Sequence, residues 1–196
     1  MEIIENEFLD LVDTWQSYIE LFNSEKSIDI INKNCGGCFL IIQHSMNNNI
    51  LLSLNRLLDP HYQGKKNPKE NLTLETLLEK VNDTTKKTEL EKKLRNIRKI
   101  VNDSELRDIR NKMLAHSDRG IREKPDSVTG EINFVVKLGF YDVIEESLKL
   151  ISEYLNEIRL YLSLEPMEYL SFIRDSSCHI LLDLIKKGQN KVVAEI

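Results

Sequence analysis

Arg110 and His116 are the two side chains in this sequence best placed to do chemistry. They stand in the stretch Glu105-Leu106-Arg107-Asp108-Ile109-Arg110-Asn111-Lys112-Met113-Leu114-Ala115-His116-Ser117-Asp118. At ~100° per residue, Leu106, Ile109 and Met113 fall on one helix face, with Arg110 and His116 roughly 60° to either side of Met113. A face patterned for burial therefore carries a permanent cation and the one side chain that titrates near neutral pH. Buried without partners, such groups are costly, so they are either paired or used.

Their spacing limits what one chain can do with them. Six positions along a helix separate attachment points by ~9 Å, which is neither an i,i+3 nor an i,i+4 neighbour relation. A two-fold axis across this face would bring in a second copy of each residue and complete a site, which favours a homodimer. The structural alternative pairs Arg110 with a carboxylate of a neighbouring helix and sets His116 against the helix dipole at a C-terminus.

The elements that must position these residues read as helical nearly throughout. Phe8, Leu11, Val12, Trp15, Ile19 and Phe22 keep the 3-4 spacing of an amphipathic helix. A second helix is predicted from Ser27, a good N-cap, to Asp59, where Pro60 stops it; it carries Ile31, Cys35, Cys38, Ile42, Met46, Leu54, Leu57 and Leu58. Residues 60–71 read as a loop, Thr73 as the cap of a short helix over 74–81, and Leu90, Leu94, Ile97 and Val101 as the stripe of a helix over 86–101. Asn102-Asp103-Ser104 marks a kink or a new cap before the Arg110 helix. Residues 118–139 read as a long connection with an extended piece at 131–138. Ile144, Leu148, Ile151, Leu155, Ile158 and Leu162 give another helix, and beyond Pro166 a last one carries Leu170, Ile173, Ser177, Ile180 and Leu184. The expected fold class is all-α, a bundle over residues 1–165 with a helical extension over 166–196 packed on the same domain.

Composition fits this reading. Charged residues are 30% and hydrophobic residues 41% of 196, as in a water-soluble globular domain. No apolar run is long enough to cross a bilayer and no signal-peptide pattern opens the chain, so the expected location is the cytoplasm, with no membrane partner. A net charge of −5 argues against a protein that coats nucleic acid indiscriminately. Residues 86–124 nevertheless hold 13 Lys/Arg against 7 Asp/Glu, net +6, leaving 14 against 25, net −11, for the remainder. A polyanion would be drawn to the segment around Arg110, although such a charge run also suits a solvated helix face.

Arg110-Asn111-Lys112-Met113-Leu114-Ala115-His116 resembles the Arg-x(4–6)-His signature of the HEPN superfamily of small helical-bundle domains. Leu54-Asn55-Arg56-Leu57-Leu58-Asp59-Pro60 followed by Asn71-Leu72-Thr73-Leu74, with Arg-Asn-Lys and Ala-His-Ser-Asp at 110–118, is similar to its abortive-infection (AbiU2-like) branch. The resemblance covers about residues 5–165. It implies an antiparallel four-helix core, homodimerisation and metal-independent RNA cleavage in phage defence or toxin–antitoxin modules, beside an antitoxin or defence partner. It assigns Arg110 and His116 to a composite site at the dimer interface, with Asn111 as the polar residue that follows the arginine, though ideal helical phase sets Asn111 nearly opposite Met113.

A nuclease of this kind needs no cofactor and no metal. Neutral imidazole accepts the 2′-hydroxyl proton, imidazolium protonates the leaving 5′-oxygen, and the guanidinium fork holds the phosphoryl oxygens. Arg107, Lys112, Arg119 and Arg122 are the expected guides for the RNA backbone. A subgroup of HEPN toxins has Tyr two residues after the histidine, where a nucleotidyltransferase modifies it; Asp118 occupies that position here and argues against such regulation. The alternative reading is a non-catalytic HEPN module that binds RNA, a nucleotide or a partner protein.

Three other motifs have structural readings. Cys35-Gly36-Gly37-Cys38 lacks the βαβ context of a thioredoxin site and the two further ligands of a zinc site, leaving close helix packing at the glycines or an oxidisable dithiol. Arg56 and Asp59 are spaced for a local ion pair. His44, His61 and His179 have no metal-binding spacing.

Overall fold

A computed structural model describes residues 1–63, 69–104, 106, 141–171 and 178–194. The helices are α1 (Glu2–Phe22), α2 (Glu25–Leu58), α3 (Thr84–Asp103), α4 (Tyr141–Tyr161) and α5 (Cys178–Ala194), with a 3-10 helix over Leu74–Lys80. The fold is the all-α bundle that the apolar periodicities predict. Residues 60–71 depart from a plain loop: β1 (Tyr62–Gln63) pairs antiparallel with β2 (Lys69–Glu70), Tyr62 opposite Glu70. The described residues form two compact units, one of residues 1–12, 51–63, 69–104, 106 and 141–171, the other of 13–50 and 178–194.

In the first unit, α3 and α4 are antiparallel. The amide nitrogens of Asn82 and Asp83, just before α3, donate to the Tyr161 hydroxyl at the end of α4. Lys86 Nζ lies 3.2 Å from Glu157 Oε2, and Lys93 also reaches that carboxylate. Asp83 caps α3 by accepting from the Lys86 amide at 2.9 Å. The buried residues of α3 are Leu90, Leu94, Ile97 and Val101, the stripe read from sequence. Those of α4 include Ile144, Leu148, Ile151, Leu155 and Ile158; Leu162 falls just beyond the helix. There Ser163 takes a left-handed conformation (φ 57°), which lets the Leu164 amide reach the Arg159 carbonyl at 2.8 Å and closes the helix end.

Residues after α4 are tied back within this unit. Asn156 exchanges two hydrogen bonds of 2.8 Å with the Met167 backbone. The buried carboxylate of Glu5 accepts from both Arg159 Nη1 and the Tyr169 hydroxyl at 2.6 Å. Three elements thus share one carboxylate whose burial is matched by a cation.

In the second unit α1 presents Trp15, Tyr18 and Phe22. Tyr18, rather than Ile19, is the buried residue of that turn, because its hydroxyl receives a 3.0 Å hydrogen bond from buried Gln43. Trp15 stacks on Tyr18 at 5.8 Å, and Phe22 meets Phe39 edge-on at 6.3 Å.

α2 changes phase. It starts two residues before Ser27 and breaks at Cys35, whose backbone (φ −154°, ψ 31°) is not helical. Ahead of the break Ile31 is buried; beyond it Phe39, Gln43 and Ile50 take the inward positions, and Cys38, expected on the stripe, is exposed. Adjacent glycines at 36 and 37 are weak helix formers, and such pairs are where helices kink. A methyl group on Gly37 would meet nothing within 4 Å, so this glycine does not serve close helix packing.

The last helix also departs from its predicted stripe. A turn closed by the Ser171 amide on the Glu168 carbonyl interrupts the register begun at Leu170. On α5 Leu182 is buried, while Ile180 and Leu184 are 48% and 60% exposed. Ile173 and Ser177 lie outside the described residues.

Candidate functional site

The sequence places the candidate chemistry immediately beyond α3, and the structure describes how that end of α3 is held. Arg107, Arg110, Asn111, Lys112, His116, Arg119 and Arg122 lie outside the described residues, as does the connection over 118–139. Leu106, the first residue of the stripe shared with Ile109 and Met113, is described: it is helical and fully buried. Ser104 ends α3 and returns its hydroxyl to the Val101 carbonyl at 2.7 Å. The predicted break at 102–104 is thus a helix terminus.

Arg98, about a turn and a half before that terminus, is the organising residue. Its position beside Leu94 and Val101 puts a cation at the margin of the buried stripe. From there Nε donates to the Leu58 carbonyl at 2.7 Å, and Nη2 donates to the Asp59 carbonyl at 2.9 Å and to Glu75 Oε2 at 2.8 Å. The last carbonyls of α2 have no partners within their own helix, and a guanidinium is well matched to them in charge and geometry.

Glu75 carries the network onward. Its Oε2 also accepts from the His61 amide at 3.0 Å. Burial acts to raise the Glu75 pKa, but hydrogen bonds from Arg98 and the His61 amide outweigh it and hold the carboxyl below its ordinary value. The His61 ring is held on both sides: Nδ1 is 2.9 Å from the Asn71 carbonyl, and Nε2 is 3.1 Å from Glu79 Oε1. The hydrogen bond to Asn71, joined by the charges of Glu79, Glu70 and Glu75, raises the His61 pKa against the effect of burial. Asn71 returns its side chain to the Pro60 carbonyl, and Thr76 bonds both the Asn71 carbonyl and the Thr73 amide.

The segments 54–60 and 71–74, read as motifs, are therefore two sides of one polar knot that Arg98 fastens to α3. Arg56 has a different role from the one its spacing suggests: it pairs with Glu7 of α1 at 2.9 Å, not with Asp59. Helix α2 ends before Asp59, so the i,i+3 geometry of that pair is lost.

Against the knot, at the terminal turn of α3, lies a pocket of about 140 Å³. Asn55, Asp59, Arg98, Val101 and Asn102 line it. Asn55 spends its amide NH2 on the Leu51 carbonyl at 2.7 Å. Among the described residues no group of three His, Cys, Asp or Glu side chains is placed to hold a metal ion, and no helix is long and apolar enough to cross a membrane.

The sequence does not mark Arg98, Glu75 and His61 as site residues. The available signals were an arginine flanking an apolar stripe and a histidine just after a helix-stopping proline, both of which also occur on ordinary surfaces.

Comparison with known proteins agrees with the helical pattern and the motif segments. No curated protein and no solved structure matches the chain. The model of the HEPN family AbiU2 matches residues 1–160, a span that takes in α1 to α4 except its last residue and the whole stretch from Arg107 to Arg122. The chain belongs to the AbiU2 family of HEPN domains.

Proposed function

We propose that this HEPN module is a metal-independent endoribonuclease acting as a toxin or phage-defence effector in the cytoplasm. The observation that carries the reading is family membership over residues 1–160 together with an intact Arg110-x5-His116 pair. Two protomers bring their arginines and histidines together across a two-fold axis, since one helix separates the pair too widely for a self-contained dyad. His116 moves the proton from the 2′-hydroxyl to the leaving 5′-oxygen. Arg110 clamps the phosphoryl oxygens, Asn111 supplies a polar contact, and Arg107, Lys112, Arg119 and Arg122 steer the backbone. The products are a 2′,3′-cyclic phosphate and a 5′-hydroxyl.

The test is cleavage of end-labelled tRNA and mRNA by the purified chain in EDTA, wild type beside His116→Ala. The wild type cuts RNA and spares DNA, which lacks the attacking hydroxyl, and the variant loses about 10²- to 10⁴-fold in rate. Equal cutting by both, or a requirement for Mg²⁺, overturns the mechanism. A second reading, a non-catalytic module that binds RNA, a nucleotide or a partner such as an antitoxin, is favoured by the net charge of −11 outside residues 86–124. Binding without cleavage by wild type and variant alike would establish it.

A further inference from the structure

The Cys35-Gly36-Gly37-Cys38 segment is left unexplained by the proposed RNA chemistry, and the structure gives it a distinctive setting. Both cysteines are thiols; Cys38 is exposed and Cys35 half-buried. The residues between them remain helical, and the Cα atoms of positions i and i+3 then lie ~5 Å apart. That separation is within the range a disulfide bridges.

An uninterrupted helix would oppose the bond, because its i and i+3 side chains leave the axis ~60° apart. Helix α2 is interrupted at one of the two cysteines. Cys35 has ψ 31° where a helix has about −42°, so its Cα–Cβ bond is re-aimed by about 70° relative to the helix that follows. Of the two glycines between the cysteines, Gly36 is buried, whereas Gly37 is exposed, with nothing within 4 Å of the position a methyl group would take.

We propose that Cys35 and Cys38 are a redox-modification site: a dithiol that closes to an intrachain disulfide by exchange with a small-molecule disulfide such as oxidised glutathione. Cys38, the exposed thiol, loses its proton and attacks one glutathione sulfur. The Cys38–glutathione bond forms, the glutathione disulfide breaks, and the expelled thiolate takes up the proton. Cys35 then loses its proton and attacks the Cys38 sulfur, forming the Cys35–Cys38 bond and expelling the second glutathione, which is protonated in turn. Two protein thiols are oxidised and one glutathione disulfide is reduced to two thiols. Burial, and then the neighbouring Cys38, push the Cys35 thiol pKa above its ordinary value, which suits it to the second attack rather than the first.

The experiment equilibrates the full chain in glutathione buffers of graded ratio, traps remaining thiols by alkylation, and maps the products by mass spectrometry. The expected oxidised species has lost two hydrogens, keeps Cys178 alkylated and yields a Cys35–Cys38 linked peptide. Cys178→Ser leaves the midpoint unchanged. Cys35→Ser stops at the Cys38–glutathione adduct, and Gly37→Ala lowers the closure constant about fivefold by favouring a continuous helix. Retention of both thiols in the most oxidising buffer, or a crosslink that uses Cys178, overturns the proposal.

Discussion

At the residue scale, the side chains that organise the described site are those with several partners. Arg98 satisfies two helix-terminal carbonyls and one carboxylate together. Arg98→Ala removes all three bonds and leaves Glu75 without its cation, at a cost of about 2–3 kcal/mol. The expected result is a melting temperature lower by roughly 5–10 °C, with Arg98→Lys recovering only part because an ammonium cannot span three acceptors with a planar fork. His61 makes a pH-dependent contribution. Its folded pKa is raised, so the stability it adds is fully present below the ordinary histidine value of about 6.5 and is lost as pH rises through the folded value. Thermal unfolding between pH 5.5 and 8.5 is expected to show a fall with rising pH that His61→Gln lacks. Glu75 behaves oppositely: its depressed pKa adds stability above the ordinary carboxylate range, which disappears on acidification.

At the element scale, local sequence rules and packing agree in α3 and α4 and disagree in α2 and α5. The first two bury the stripes that 3.6-residue periodicity predicts. In α2 the break at Cys35, just ahead of two glycines, lets the chain shift phase, replacing Cys38 by Phe39 on the inward face. In α5, Gly188 sits within the helix with open space where a methyl group would go. Gly188→Ala is expected to stabilise by about 0.5–1 kcal/mol through reduced backbone entropy in the unfolded chain. Denaturant midpoints measured at unchanged m-value check this, and a loss of stability would show that the position is packed.

At the scale of the whole molecule, the proposed ribonuclease requires two chains. Light scattering is expected to give twice the protomer mass, and the basic segment 86–124 should make RNA association strongly salt-dependent. A monomeric protein that cleaves RNA with a single copy of Arg110 and His116 would contradict the composite site. Within one chain, the Glu5, Arg159 and Tyr169 contacts bring residues far apart in sequence to one buried carboxylate, so the segment after α4 is anchored through α1 and α4.

The helical class, the apolar faces of α3 and α4, the N-cap position of Thr73 and the motif segments that give the family are legible in the amino-acid order alone. These follow from periodicity, capping chemistry and residue spacing, which are local properties. The remaining features come from contacts between distant segments. That Arg98 serves α2 rather than solvent, that Arg56 chooses Glu7 over Asp59, and that Tyr18 is buried through Gln43 all depend on partners 25 to 49 positions away in the chain. A pattern confined to one helix turn specifies which residues face inward; it carries no information about which distant polar atom will be waiting there.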